Sequence, residues 1–263
     1  PLFIAVLAGL GLSVIARPNV LVIMTDDQGY PEISAHGNPV LQTPNLDRLH
    51  GQSLRLSDYH VAPMCTPTRG QLLTGLDAAR NGAVNVSSGR ALLRPEVSTI
   101  ADFYGEAGYA TGVFGKWHLG ANYPFRPQDR GFQESVWYPS SSIPSVPAYW
   151  GNDYFDDTYE RVRPGSREGS FEKFDGYCTD IWFREGMRFI SENQKEPFFL
   201  YIATNAPHGP YRVDPKWAEP YQRNDVNNAN FFGMIANIDH NLGLLRDHLA
   251  DLELDKKNIK HVV

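Results

Sequence analysis

At 263 residues the chain is long enough for one large domain with a sizeable core. Hydrophobic residues make up 42% and charged residues 21%, an ordinary globular composition. The formal net charge of −6 excludes the broad basic footprint that nucleic-acid binding needs. A small anionic substrate stays open, since it requires only a few cations in one cleft.

Residues 1–16 (PLFIAVLAGLGLSVIA) form an uncharged apolar run. The run is shorter than the roughly 20 residues of a membrane span, so no stable span is expected. Small residues at Val14 and Ala16, followed at once by polar Arg17-Pro18-Asn19, read as a clipped signal peptide rather than a buried first element. Export to a periplasmic or extracellular space is the expectation. The two cysteines, Cys65 and Cys178, could then pair as a disulfide.

Asn19 to Met24 is a continuous β-branched apolar run, suited to a strand buried on both faces of a parallel sheet. It leads into Thr25-Asp26-Asp27-Gln28-Gly29. Thr43-Pro44 opens a helix with an N-cap and a proline at its first position. Leu54 to Val61 reads as a short strand, followed by the Cys65 loop and a helix through Leu73. Ser98 to Ala107 reads as a capped helix ending at Gly108, and Tyr109 to Phe114 as a strand into Gly115-Lys116-Trp117-His118. Asn122 to Gly176 is rich in Pro, Gly, Ser, Tyr and Trp and reads as a long structured loop. Thr179 to Asn193 is a further helix, Pro197 to Thr204 a buried strand, Phe231 to Leu252 a long helix, and Ile259 to Val263 the start of another strand. This alternation predicts an α/β fold with a mainly parallel, mixed central sheet flanked by helices. Ligands in such folds gather at the carboxyl ends of strands, where Asp26, Asp27, Lys116, His118 and His208 all fall.

Adjacent Asp26 and Asp27 offer hard oxygen ligands for Ca²⁺ or Mg²⁺, although Asp pairs also serve turns and caps. Cys65-Thr66-Pro67-Thr68-Arg69, leading into a helix, places a side chain in an electropositive setting and reads as a nucleophile or an anion site; a turn with a structural thiol is the bland alternative. That segment, through Leu73-Thr74-Gly75, resembles the C-x-P-x-R signature of the type I, formylglycine-dependent sulfatases. Gly115-Lys116-Trp117-His118-Leu119-Gly120, Asn205-Ala206-Pro207-His208-Gly209-Pro210, Pro18 through Gly29 and Thr43 through Leu49 are similar to further blocks of the same family, in the same order.

The resemblance implies an alkaline-phosphatase-like fold and a single catalytic domain over residues 17–263, incomplete at its carboxyl end and lacking the family's smaller C-terminal domain. It implies that Cys65 is oxidised to formylglycine by a maturation enzyme. Its hydrated form attacks the sulfur of a sulfate ester, then eliminates sulfate with its second hydroxyl. Asp26, Asp27 and residue 65 are implied as ligands of Ca²⁺ or Mg²⁺. Arg69 and Lys116 steady the nucleophile and the sulfate, His118 takes a proton from the diol, and His208 binds sulfate or protonates the leaving oxygen. The expected substrate is a sulfated small molecule or carbohydrate. A phosphonate or phosphate monoester hydrolase of the same superfamily and a non-catalytic carbohydrate-binding homologue are the alternatives. The remaining histidines, Asp239 and Cys178 read as structural. The aromatic residues Trp137, Tyr138, Tyr149, Trp150, Tyr154 and Tyr159 could either stack on sugars or pack their own loop.

Overall fold

The computed structural model describes residues 17–87, 89–223 and 226–255 and the backbone of 259–262. The expected signal peptide lies outside the described residues. Seven strands form one sheet: β1 (Asn19–Asp26), β2 (Ala110–Lys116), β3 (Glu134–Tyr138), β4 (Thr158–Val162), β5 (Ser170–Lys173), β6 (Phe198–Pro207) and β7 (Ile259–Val262), in the order β5-β4-β3-β2-β6-β1-β7. β3, β2, β6, β1 and β7 run parallel, while β4 and β5 add an antiparallel edge. All ten residues of β6 are buried, as a strand covered on both faces must be.

The helices are α1 (Pro44–Gln52), α2 (Cys65–Thr74), α3 (Ala78–Asn81), α4 (Ile100–Glu106), α5 (Cys178–Asn193), α6 (Pro215–Ala218) and α7 (Ala229–Asp251). Neighbouring residues of β6 show how they divide. The Phe199 ring stacks on Tyr104 of α4 at 4.7 Å, while Leu200 and Ile202 face Gly186 of α5. Because side chains alternate along a strand, α4 and α5 cover opposite faces of the sheet. α5 and α7 pack against each other on the same face of β6.

β2 and β6 approach unusually closely just before the end of β2. Gly115 has φ +116°, and a Cβ there would lie 2.0 Å from the Ala203 carbonyl oxygen. Only glycine accepts that combination, and the close approach fixes the exit of Lys116 from the sheet.

Two expectations need correction. Leu54 to Val61 is irregular rather than a strand, with Leu54, Leu56, Tyr59 and Val61 exposed. No neighbouring strand among the described residues takes up its backbone hydrogen bonds, and a lone extended segment cannot satisfy them. Asn122 to Gly176 is structured as expected but holds β3, β4 and β5. The helix expected from Ser98 is capped by Thr99, which accepts from the Asp102 N–H while Asp102 reaches back to Thr99 in a capping box.

Candidate active site

Three adjacent strands, β2, β6 and β1, deliver the candidate residues. Asp26 ends β1 and Lys116 ends β2, while His208 follows β6 immediately. Side chains far apart in sequence thus meet at one edge, as the parallel topology requires.

Cys65 is the first residue of α2, so it sits at the positive end of a helix whose first N–H groups are unpaired. Cys65 and Cys178 are both free, which removes the disulfide. Cys178 is buried, and burial pushes its thiol up to about 12, as suits an inert core group.

Cys65 Sγ stands 3.2 Å from His118 Nδ1, and the other nitrogen of that ring, Nε2, stands 3.3 Å from the Val86 carbonyl oxygen. A carbonyl only accepts, so Nε2 carries the hydrogen and Nδ1 presents its lone pair to residue 65. Burial, then the charges of Lys116 and Arg69, lower His118 to about 3, so the ring is neutral at ordinary pH. The His118 backbone adopts a positive φ of 55°, and its carbonyl oxygen is held by the Thr66 hydroxyl at 3.0 Å.

Arg69 is buried one turn along α2 from Cys65. Its guanidinium donates to the Lys116 carbonyl oxygen at 3.0 Å and the Tyr201 hydroxyl at 3.4 Å, and pairs with Asp26 Oδ1 at 3.3 Å. Lys116, wholly buried, donates to the other oxygen of Asp26. Burial alone would raise the Asp26 carboxyl, but Arg69 and Lys116 more than offset it and hold the carboxyl below its ordinary value. Burial, with Arg69 adding repulsion, pushes Lys116 down against the pull of Asp26. Two buried cations on one carboxylate leave a net positive charge beside residue 65.

Asp27 is exposed, with φ +63°, and His208 Nε2 lies 3.6 Å from its carboxylate. His208 Nδ1 donates to the Gly209 carbonyl oxygen at 2.6 Å, leaving Nε2 facing the site. All seven sequence candidates therefore cluster at one end of the sheet, in two linked groups: Cys65–His118–Arg69–Lys116–Asp26 buried or half-buried, and Asp27–His208 towards solvent. The two carboxylates are hard oxygen donors and fit a divalent cation such as Ca²⁺ in kind. Among the described residues, no group of three or more His, Cys, Asp or Glu side chains is gathered as a metal site. Asp26 is turned onto Arg69 and Lys116.

The Tyr201 hydroxyl and the Val86 carbonyl went unforeseen. Tyr201 reads as strand core, and no side-chain pattern announces a backbone acceptor. Of the aromatic residues, Trp137, Tyr138, Trp150, Tyr154 and Tyr159 are buried and only Tyr149 is exposed, packed edge-on to Phe171. Trp150 also meets Trp137 edge-on at 4.9 Å, so this region packs on itself. Asp239 accepts from the N–H groups of Asn45 and Leu46 and caps α1, confirming a structural part.

A family model described as Sulfatase matches residues 18–259. The chain is 29% identical over 259 residues to human N-acetylgalactosamine-6-sulfatase, covering 90% of this chain and 47% of that protein. It is 31% identical to the arylsulfatase of Klebsiella aerogenes over 266 residues, covering 92% and 54%. The crystal structure of Ps i-CgsB in complex with k-i-k-neocarrahexaose superposes with a TM-score of 0.79 at 27% identity, over 93% of this chain and 57% of that one. The chain thus spans about half the length of the curated relatives it matches.

Proposed function

Because the chain belongs to the sulfatase family, we propose that it is the catalytic part of a sulfatase that hydrolyses sulfate esters at residue 65. One observation carries this reading: Cys65, inside an intact C-x-P-x-R segment, faces the unprotonated Nδ1 of a neutral His118 at 3.2 Å, beside two buried cations.

In this reading a maturation enzyme converts Cys65 to formylglycine during export, and the hydrated aldehyde supplies the nucleophilic oxygen. Nδ1 of His118 accepts a proton from that group, since its lone pair already points there. Arg69 and Lys116 supply fixed positive charge where negative charge builds on oxygen, at no reorganisation cost. Nε2 of His208 lies beside Asp27, where the imidazolium form, with a proton on each nitrogen, can bind a sulfate oxygen or protonate the departing alcohol oxygen. Asp26, Asp27 and residue 65 would hold a divalent cation, Ca²⁺ or Mg²⁺, which adds Lewis-acid stabilisation of the sulfate oxygens when bound. A sulfated carbohydrate is the favoured substrate class, in keeping with the glycan named with Ps i-CgsB.

The test is turnover of an aryl sulfate by protein produced with a formylglycine-generating enzyme, compared with Cys65→Ala. Turnover lost in Cys65→Ala with an unchanged melting temperature is expected. Equal turnover by both proteins contradicts the reading.

A further inference from the structure

Val86 belongs to a turn that touches the site and carries an uncommitted cation. Its carbonyl accepts from His118 Nε2, so the turn lies two hydrogen bonds from residue 65. Asn85 N–H donates to the Arg90 carbonyl oxygen at 3.1 Å and Arg90 N–H to the Ser87 carbonyl oxygen at 3.0 Å, which brings Arg90 back beside Asn85 and Val86. The base of the turn is clasped by buried Asn81. Its side chain holds the Leu76 carbonyl and the Ala83 N–H, and its own carbonyl accepts from Arg94 N–H at 2.7 Å. The turn is therefore fixed relative to α2, which carries Cys65 and Arg69.

Most arginine side chains are spoken for. Arg69, Arg126, Arg161, Arg163, Arg188 and Arg212 pair with carboxylates. Among the described residues, the side chains of Arg80, Arg90 and Arg167 make no hydrogen bond or ion pair. Arg80 lies in α3 and Arg167 between β4 and β5, whereas Arg90 is exposed on the turn that contacts His118. Its described neighbours Ser87 and Gly89 are exposed and small.

We propose that Arg90 is a specificity-determining residue: it binds a second anionic group, sulfate or carboxylate, on the saccharide whose sulfate ester reacts at residue 65. This deepens the sulfatase reading and rests on it. In that reading Arg69, Lys116 and His208 serve the scissile sulfate, which leaves Arg90, exposed on the turn that contacts His118, for a neighbouring substituent. A planar guanidinium matches either oxyanion with two parallel hydrogen bonds. With no partner among the described residues, Arg90 has no ion pair to break when it is recruited.

The experiment compares the unaltered matured protein, Arg90→Ala and Arg90→Lys. Its four substrates are nitrophenyl sulfate, a neutral monosulfated disaccharide, its disulfated counterpart, and a monosulfated disaccharide containing a uronate. Arg90→Ala is expected to lower kcat/KM about tenfold on one or both of the doubly anionic substrates and to leave the other two unchanged. Whichever doubly anionic substrate falls identifies the oxyanion, and Arg90→Lys is expected to keep part of the preference, since charge remains without the fork. An equal fall on all four substrates, or no fall on any, overturns the proposal while the sulfatase reading stands. No turnover of any ester by the unaltered protein overturns both.

Discussion

At residue 118 a left-handed backbone, a φ of 55° in a residue with a β-carbon, aims one imidazole nitrogen at Cys65 and the other at the Val86 carbonyl. Such conformations cost about 1–3 kcal/mol and persist where the surroundings enforce them. Here the enforcement is visible in the Thr66 hydroxyl that grips the His118 carbonyl. The arrangement predicts how truncations divide between binding and chemistry. Lys116→Ala and His118→Ala should each lower kcat on an aryl sulfate by about 10²–10³ while changing KM little, as loss of one preorganised donor or charge does. Arg69→Lys should be comparably severe, because an ammonium cannot reach the Lys116 carbonyl, Tyr201 and Asp26 together. Steady-state kinetics with melting curves checks this; near-native kcat in these variants would contradict the roles assigned. Cys65, Arg69, Lys116, His118, His208, Asp26 and Asp27 could be named as candidates from the sequence because each falls in a short motif. The pairing of Lys116 and Arg69 on Asp26 was not, because it depends on strand order.

Among the strands, those legible in the sequence hold long apolar stretches. β1 holds the run Val20 to Met24 and β6 the run Phe198 to Ala203. β4 and β5 escaped because they carry charge: Arg161 of β4 pairs with Glu172 of β5 at 2.8 Å and with Glu185 of α5 at 3.0 Å. A charged strand looks like loop until its partners are known. The segment from Leu54 to Val61 fails in the opposite sense, having strand-like spacing without a described neighbour to pair with. Helix α1 shows how tertiary structure can replace local capping. Thr43 gives it no side-chain cap, and Asp239 of α7 accepts its first N–H groups instead, from Leu46 at 2.7 Å and Asn45 at 3.0 Å. Asp239→Ala should cost about 1–2 kcal/mol, the upper range for a lost cap, by leaving those donors unpaired. Denaturant unfolding measures it directly. A change below the error of the fit would mean that water replaces the carboxylate at no cost.

Over the whole molecule, a formal charge of −6 coexists with a positive inner site, because Arg69 and Lys116 are buried against a single carboxylate. Acidic bulk charge and a cationic pocket together suit a small anion and disfavour a polyanionic nucleic acid. The α/β class and the mainly parallel sheet followed from alternating patterns, while the packing of the aromatic region did not. Rings such as Trp137 and Trp150 are equally suited to a glycan or to each other, and the fold sets them edge-on to each other. Everything catalytic in this account passes through residue 65, so the mass of the peptide containing it is the most direct test. Protein produced with a formylglycine-generating enzyme should yield a Cys65 peptide in which the thiol has become an aldehyde, while the Cys178 peptide keeps its sulfur. A fully unmodified Cys65 thiol in protein that turns over sulfate esters would contradict it.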